Sequence, residues 1–368
     1  MTTHLTDSTT DTITHDLDEA AIEAFAEKVF GDLAGAHAVF MAALGDRLGL
    51  FTDLADRGPA GSSDLAQRTG LAERYVREWA LGMAAAGYLD RDAHGTFSLP
   101  GQHVPVLADE GGPLFLGGMI DDYSATFGDG YRQLLDSFGT GEGIAQEDFP
   151  DAQRTIERLT APWHGHALVQ EWLPLAPDVE LLLSAGGTLC DVGCGHGQAV
   201  IALARAFPQA RFVGVDVYEP AVAEARRRAE AAGVADRVTF QRADASTDLP
   251  GTFDVVTVFD VLHDARDPEG ILRTARAALR AGGRFLAVDI DAADDPAENT
   301  GPLGTMIYGL SLEYCLPVSM HDGGTGLGTA GLSPQVLTRM ASAAGFADVR
   351  KVEITDPLSA LYVLTPAE

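Results

Sequence analysis

The stretch Thr188-Leu189-Cys190-Asp191-Val192-Gly193-Cys194-Gly195-His196-Gly197 decides the fold. An apolar run carries one acid and then meets three glycines at alternating positions. The segment that follows, Gln198 to Phe207, is rich in Ala, Leu and Ile and has no breaker. That order reads as strand, tight turn, helix. Glycine is concentrated at a turn when the backbone must bend sharply and let another group come close. The turn is therefore expected to hold a nucleotide-like ligand.

Outward from this turn the pattern is regular. Strands are expected at 189–192, 211–215, 237–241, 255–259 and 284–288, with helices between them. Glu219 to Ala232 has Pro220 in its first turn and Gly233 past its end, the usual asymmetry of helix ends. Asp267 caps a helix reaching Ala281, with Pro268 at its first position. Short apolar strands alternating with helices imply a parallel sheet covered on both faces. A pair at 349–354 and 360–364 closes the sheet as an antiparallel hairpin. The fold class is α/β: a Rossmann-like, mostly parallel sheet of seven strands with a C-terminal antiparallel hairpin, preceded by an α-helical winged-helix domain.

Acids stand at successive strand ends. Asp191 lies on the first strand, and Asp216 ends the second, 19 residues beyond Gly197. Asp244-Ala245 follow the third, and Phe259-Asp260 end the fourth. Open α/β sheets bind ligands along this edge. Gln198 stands where the dinucleotide fingerprint would place a third small residue.

The N-terminal third has its own logic. Residues 1–17 are Thr- and Asp-rich and are expected to be a disordered tail. Two helices are expected within 18–50, broken between Gly31 and Gly35. Ser62-Ser63 are expected to cap a short helix. A second helix from about Ala72 to Ala86 places Tyr75, Val76, Trp79 and Met83 on one face, and a β-hairpin wing follows near 88–99. Domain limits are 18–105 for the winged-helix, dimerisation domain and 106–180 for a helical linker and substrate lid. The ligand-binding domain is 181–368, with an insertion at 292–332.

Charge excludes some partners. The 54 acids and 25 bases of the 368 residues give a net charge of −29. Ser62 to Leu99 hold four bases and five acids, whereas a groove-reading module needs a positive footprint. No nucleic acid partner is expected. No run approaches the ~18 apolar residues of a membrane span, so no membrane partner is expected either, and the location is expected to be cytoplasmic. Three cysteines, Cys190, Cys194 and Cys315, form neither a disulfide framework nor a zinc-ligand spacing. No metal is expected.

DVGCGHG, VGVDV, RADA, FDVVTVFDVLHD and LRAGGRFLAVD resemble, in order, the motifs of class I S-adenosylmethionine-dependent methyltransferases. The winged helix, the RYVREW helix and SLEYCLPVSMHDGGTGLG resemble the bacterial winged-helix subgroup, and more distantly the small-molecule O-methyltransferases. The resemblance implies a small-molecule acceptor, S-adenosyl-L-methionine as cofactor and a homodimer. It implies that Asp191 anchors the methionine amino group and that Gly193, Gly195 and Gly197 let the backbone approach the cofactor. Asp216 would hold the ribose hydroxyls, with Val217 under the adenine and Asp244 and Ala245 at its amino edge. Phe259 and Asp260 would line the methionine side. His263, followed by Asp264, would be the general base that deprotonates a hydroxyl acceptor. The aromatic usual after that pair is replaced by Ala265. Tyr131, Trp163 and His164 in the linker, and Tyr308 and His321 in the insertion, are candidates for acceptor contact. Two other readings fit the same motifs: an enzyme that binds this cofactor for a reaction other than methylation, and a cofactor-responsive DNA-binding regulator.

Overall fold

A computed structural model of the chain describes residues 18–125, 130–149 and 152–367. The segment 1–17 expected as a tail lies outside the described residues.

The N-terminal module begins with one helix, α1 (Glu19–Arg47), not two. Gly31 and Gly35 lie inside it. A glycine weakens a helix interior by about 1 kcal/mol but does not end it, and the flanking alanines carry the helix through. Asp18 caps it, accepting from the Ala20 and Ala21 amides at 3.0 and 3.3 Å. The following helices are α2 (Leu50–Arg57), α3 (Ser62–Thr69) and α4 (Glu73–Ala85). The wing is a two-stranded antiparallel ribbon, β1 (Asp90–Arg91) with β2 (Phe97–Ser98). Gly61, not Ser62, stands at the N-cap of α3. Ser62 instead sits inside the helix and donates its hydroxyl to Glu73 at 2.7 Å. Val76, Trp79 and Met83 are buried as expected, but Tyr75 is 81% exposed. It follows Arg74 onto the outer face because one residue turns a helix by roughly 100°.

A run of helices joins the two halves: α5 (Val104–Leu107), α6 (Gly117–Ala125), α7 (Tyr131–Thr140) and α8 (Ala152–Pro162). The last continues without a break into a π-helical stretch, Trp163–Trp172, a winding frequent at functional sites. Asp121 on α6 has a fully buried side chain and binds Arg47 of α1 at 2.5 Å and Arg154 of α8. Arg158 adds Asp46 at 2.7 Å. These pairs tie α1 of the N-terminal module to α6 and α8.

The C-terminal half starts with α9 (Pro177–Ser184). Next come β3 (Thr188–Val192), α10 (Gln198–Ala206), β4 (Arg211–Asp216), α11 (Glu219–Ala231) and β5 (Val238–Arg242). The chain goes on through β6 (Phe253–Phe259), α12 (Pro268–Ala278) and β7 (Leu279–Ile290). Helix α12 stops three residues before Ala281, because Leu279 already pairs with Phe253. The insertion supplies α13 (Gly301–Leu310), a π-helical turn at Ser311–Cys315, and α14 (Leu316–Met320). Helix α15 (Pro334–Ala343) precedes β8 (Phe346–Glu353) and β9 (Ser359–Pro366). The seven strands lie in the order β5-β4-β3-β6-β7-β9-β8. The first five are parallel, and β9 runs antiparallel to both β7 and β8. Both faces of the sheet are buried under helices, one against Trp172, Leu183 and Val200, the other against Leu272, Leu337 and Met340. Strand order reverses between β3 and its neighbours β4 and β6, and a crevice opens at that point.

Candidate active site

The glycine turn joins β3 to α10 at the crevice. Gly193, Gly195 and Gly197 have φ of +71°, +48° and +79°. A Cβ on Gly193 would meet Val261 at 2.5 Å, and one on Gly197 would meet Phe240 at 2.6 Å. A Cβ on Gly195 would meet nothing within 4 Å, because Gly195 faces the cavity. The outer two glycines make the bend, and the middle one leaves room beside it.

The cavity has a volume of about 950 Å³. Val217, Asp244, Ala245, Phe259, Asp260, His263 and Asp264 line it, as do Gly193, Gly195 and Asp216. Asp191 sits just below, buried, and accepts from the Thr257 hydroxyl at 2.7 Å. Burial raises its carboxyl to about 7. The two Asp216 oxygens accept the Gly195 amide and the Tyr218 amide, each at 2.9 Å. Each carboxylate oxygen keeps a second lone pair for a ligand. Asp244 is braced by the Ser246 amide and hydroxyl at 3.0 and 2.7 Å. A hydroxyl-bearing, phosphate-free nucleoside fits this set: acids mark each strand end, no basic loop is present at the turn, and the middle glycine clears the space.

Helix α8 and the π-helical stretch after it close one wall. Trp163 and His164 line the cavity. The His164 ring lies 5.9 Å from that of Phe259, and burial lowers its imidazole to about 4. Glu157 was not legible in the sequence. It accepts from His196 Nδ1 at 2.6 Å and from the Gln198 amide at 2.9 Å, and it pairs with Arg228. Burial opposes its charge, but hydrogen bonds from His196 and Arg228 outweigh that and hold its carboxyl down at about 2. One carboxylate of α8 thus braces the residues on either side of Gly197.

The insertion closes the other wall with Tyr314, Cys315 and His321. Tyr131 and Tyr308, expected to approach the acceptor, do not line the cavity and are 57% and 39% exposed. Their helices turn those positions outward.

Below this wall His263 is 3% exposed, and its Nδ1 lies 2.6 Å from Asp289 Oδ1. Asp289 is fully buried and also accepts the Leu262 amide at 3.0 Å and the Ile290 amide at 2.8 Å. Burial alone would lower the His263 pKa, but the Asp289 carboxylate outweighs it and raises the pKa well above 6.5. Asp260 adopts φ +61° and stands 3.9 Å from His263 Nδ1. Asp260, His263 and Asp289 come within 4.8 Å of one another, but the His263 bond and two backbone amides already occupy Asp289. Asp289 closes the motif FLAVD but was not singled out from the sequence, where an acid ending an apolar strand could have marked it.

Residues 183–321 match the family described as a methyltransferase domain, and residues 36–109 match the Rv2258c-like winged HTH domain. The 27-O-demethylrifamycin SV methyltransferase of Amycolatopsis mediterranei (strain S699) is 34% identical over 172 residues, 46% of this chain and 58% of that protein. The aclacinomycin 10-hydroxylase of Streptomyces purpurascens is 41% identical over 118 residues, 31% of each chain. The chain thus spans 58% and 31% of the length of these two relatives. The structure of the mitomycin 7-O-methyltransferase superposes with a TM-score of 0.72 over 95% of this chain and 100% of that one, at 22% identity, and so shares the fold. Residues 183–321 thus belong to the methyltransferase-domain family, and an Rv2258c-like winged helix-turn-helix domain at 36–109 stands ahead of them.

Proposed function

We propose that this chain transfers a methyl group from S-adenosylmethionine to a hydroxyl oxygen of a small molecule of secondary metabolism. The observation that carries the reading is the Gly195 amide bonded to Asp216 at 2.9 Å at the rim of a 950 Å³ cavity. That bond holds a ribose-binding acid beside a backbone able to approach the donor. The donor supplies an electrophilic methyl on a sulfonium, so the protein's work is alignment and removal of one proton. Asp191 takes the methionine amino group, the glycine turn the methionine backbone, and Asp216 the ribose. Val217, Asp244 and Ala245 take the adenine, while Phe259 and Asp260 line the methionine side. Trp163, His164 and His321 face the acceptor; Tyr131 and Tyr308 are given no role.

The domain limits read from the sequence serve this division of labour, with the winged-helix module as a packing and dimerisation unit. Helix α1 exposes Phe25 at 66%, Phe30 at 75% and Leu33 at 57%, a face suited to a second copy of the chain. Arg74 and Arg77 of α4 pair with Glu78 and Glu73, which leaves that helix little charge for phosphates. No described helix is long and apolar enough to cross a membrane; a cytoplasmic location accords with this and with the sparse cysteines.

A second reading is a reaction on the same cofactor other than methylation, favoured by the match to a hydroxylase over 118 residues. The deciding experiment incubates the protein with S-adenosylmethionine and a panel of hydroxylated aromatic acceptors. Methylated product in step with S-adenosylhomocysteine supports the first reading. Product formed without S-adenosylhomocysteine sinks it.

A further inference from the structure

Four side chains in the cavity walls hold polar atoms with nothing to bond. The hydroxyls of Thr155, Tyr314 and Thr329 and both ring nitrogens of His164 are shut from solvent and make no hydrogen bond. All four residues line the cavity, and Thr155 and Thr329 are each 1% exposed. Thr155 belongs to α8 and His164 to the π-helical stretch that continues it. Tyr314 lies on the π-helical turn of the insertion, and Thr329 on the short helical turn Thr329–Gly331 beyond α14. Gln198, Gln146 and Cys315 bear on His164, Tyr314 and Thr329 in turn, yet none closes a hydrogen bond to them. The Gln198 amide is given to Glu157 instead.

A buried polar group left unpaired works against folding, and native chains keep few without a reason. Here four of them meet on one cavity, from two walls. Because they hold no protein partner, a hydroxyl or ring that turns toward a ligand breaks no existing bond. Each hydroxyl can both donate and accept, and a neutral imidazole offers one N–H and one lone pair. Such groups match hydroxyl and carbonyl oxygens.

Charge narrows the ligand further. Burial lowers the His164 imidazole to about 4 and holds the Tyr314 hydroxyl protonated. Arg242 and Arg266 are the only Lys or Arg among the described residues that line the cavity. Arg242 donates to the Val217 carbonyl at 3.0 Å, and Arg266 to Asp322 at 3.4 Å. A carboxylate entering this site would lose its water without meeting a free cation.

We propose that Thr155, His164, Tyr314 and Thr329 select the acceptor, and that they select an uncharged molecule carrying hydroxyl or carbonyl groups besides the hydroxyl that is methylated. The inference rests on the methyl-transfer reading above for the reacting group, whereas recognition is read by binding alone.

The test is therefore binding with S-adenosylhomocysteine in place, which needs no turnover. The probes are dihydroxynaphthalene and dihydroxyanthraquinone, the same two rings with an added carboxylate, and the naphthalene ring with a single hydroxyl. Calorimetry should find a neutral dihydroxy probe that binds, and the carboxylate on its ring should weaken it at least about tenfold. T155V, H164L, Y314F and T329V should each weaken that probe by between about threefold and a hundredfold. The single-hydroxyl ring should lose less than about threefold, and so should S-adenosylhomocysteine itself. T155V and T329V keep the shape and remove an unpaired hydroxyl, so both should raise the melting temperature of the empty protein. Carboxylated probes that bind as well as the neutral ones, no binding by either neutral dihydroxy probe, or a fall in melting temperature in both threonine variants overturns the proposal. So does a loss of S-adenosylhomocysteine affinity equal to the loss of probe affinity, which would assign the four groups to the cofactor. Failure of the methyl-transfer reading shows separately: the neutral probe binds and the variants weaken it, but S-adenosylmethionine yields no methylated product with any hydroxyl acceptor.

Discussion

The Nδ1 atom of His196 lies 2.6 Å from Oε2 of Glu157, across 39 residues of sequence. This contact ties α8 to the glycine turn, with Gln198 and Arg228 on the same carboxylate. Glu157→Gln keeps the shape and removes the charge. It should cost about 1–3 kcal/mol of stability and weaken S-adenosylhomocysteine binding by roughly tenfold. Because the folded carboxyl titrates at about 2 against 4.5 unfolded, its contribution is complete above about pH 4.5 and lost as the pH falls toward 2. Thermal melts of both proteins at pH 7 and pH 3 check this; equal melting differences at the two values would refute it.

The three turn glycines should separate by assay. Gly193→Ala and Gly197→Ala drive a Cβ into Val261 and Phe240 and should lower stability by about 1–3 kcal/mol. Gly195→Ala meets only open space, so its larger effect should fall on cofactor affinity. Denaturant midpoints and calorimetry, compared across the three, read the two effects apart.

Asp191 carries a pH signature of the opposite sign. Its folded carboxyl titrates at about 7 against 3.8 in a model peptide. The folded protein therefore holds more protons between those values and loses stability as the pH rises through them. Asp191→Asn removes that loss. The melting temperature of the variant relative to wild type, both without cofactor, should climb from pH 5 to pH 8. A flat difference would show that Asp191 ionises normally.

Helix α1 offers a test of assembly. Replacing Phe25 and Phe30 by Asp should yield a monomer by sedimentation, with S-adenosylhomocysteine binding retained. A wild-type protein that is itself monomeric would remove the homodimer from the account.

Much of the sheet could be read ahead of the structure, because strands buried on both faces leave short apolar runs with acids at their ends. Asp191, Asp216 and Asp244 were legible for that reason. Glu157 and Thr257 were not: their partners are 39 and 66 residues away, and no local pattern records such a contact. Tyr131 and Tyr308 show the converse. Aromatic residues near a pocket looked like walls, but the helical phase that turned them to the surface depends on packing. Gly31 and Gly35 suggested a break that the surrounding alanines override.

From Trp163 to Trp172 the lid is wound as a π-helix, so each turn holds about one residue more than an α-helical turn. Deleting one residue there while the π-winding persists would swing everything before it around the axis by a little under the roughly 100° that a residue turns in an α-helix. The Thr155-to-Thr160 wall and the Glu157 brace would turn with it. Residue count in this one segment thus works as an indexing gear for the pocket. A relative one residue shorter at that place could present a different set of side chains to its acceptor with every remaining amino acid unchanged.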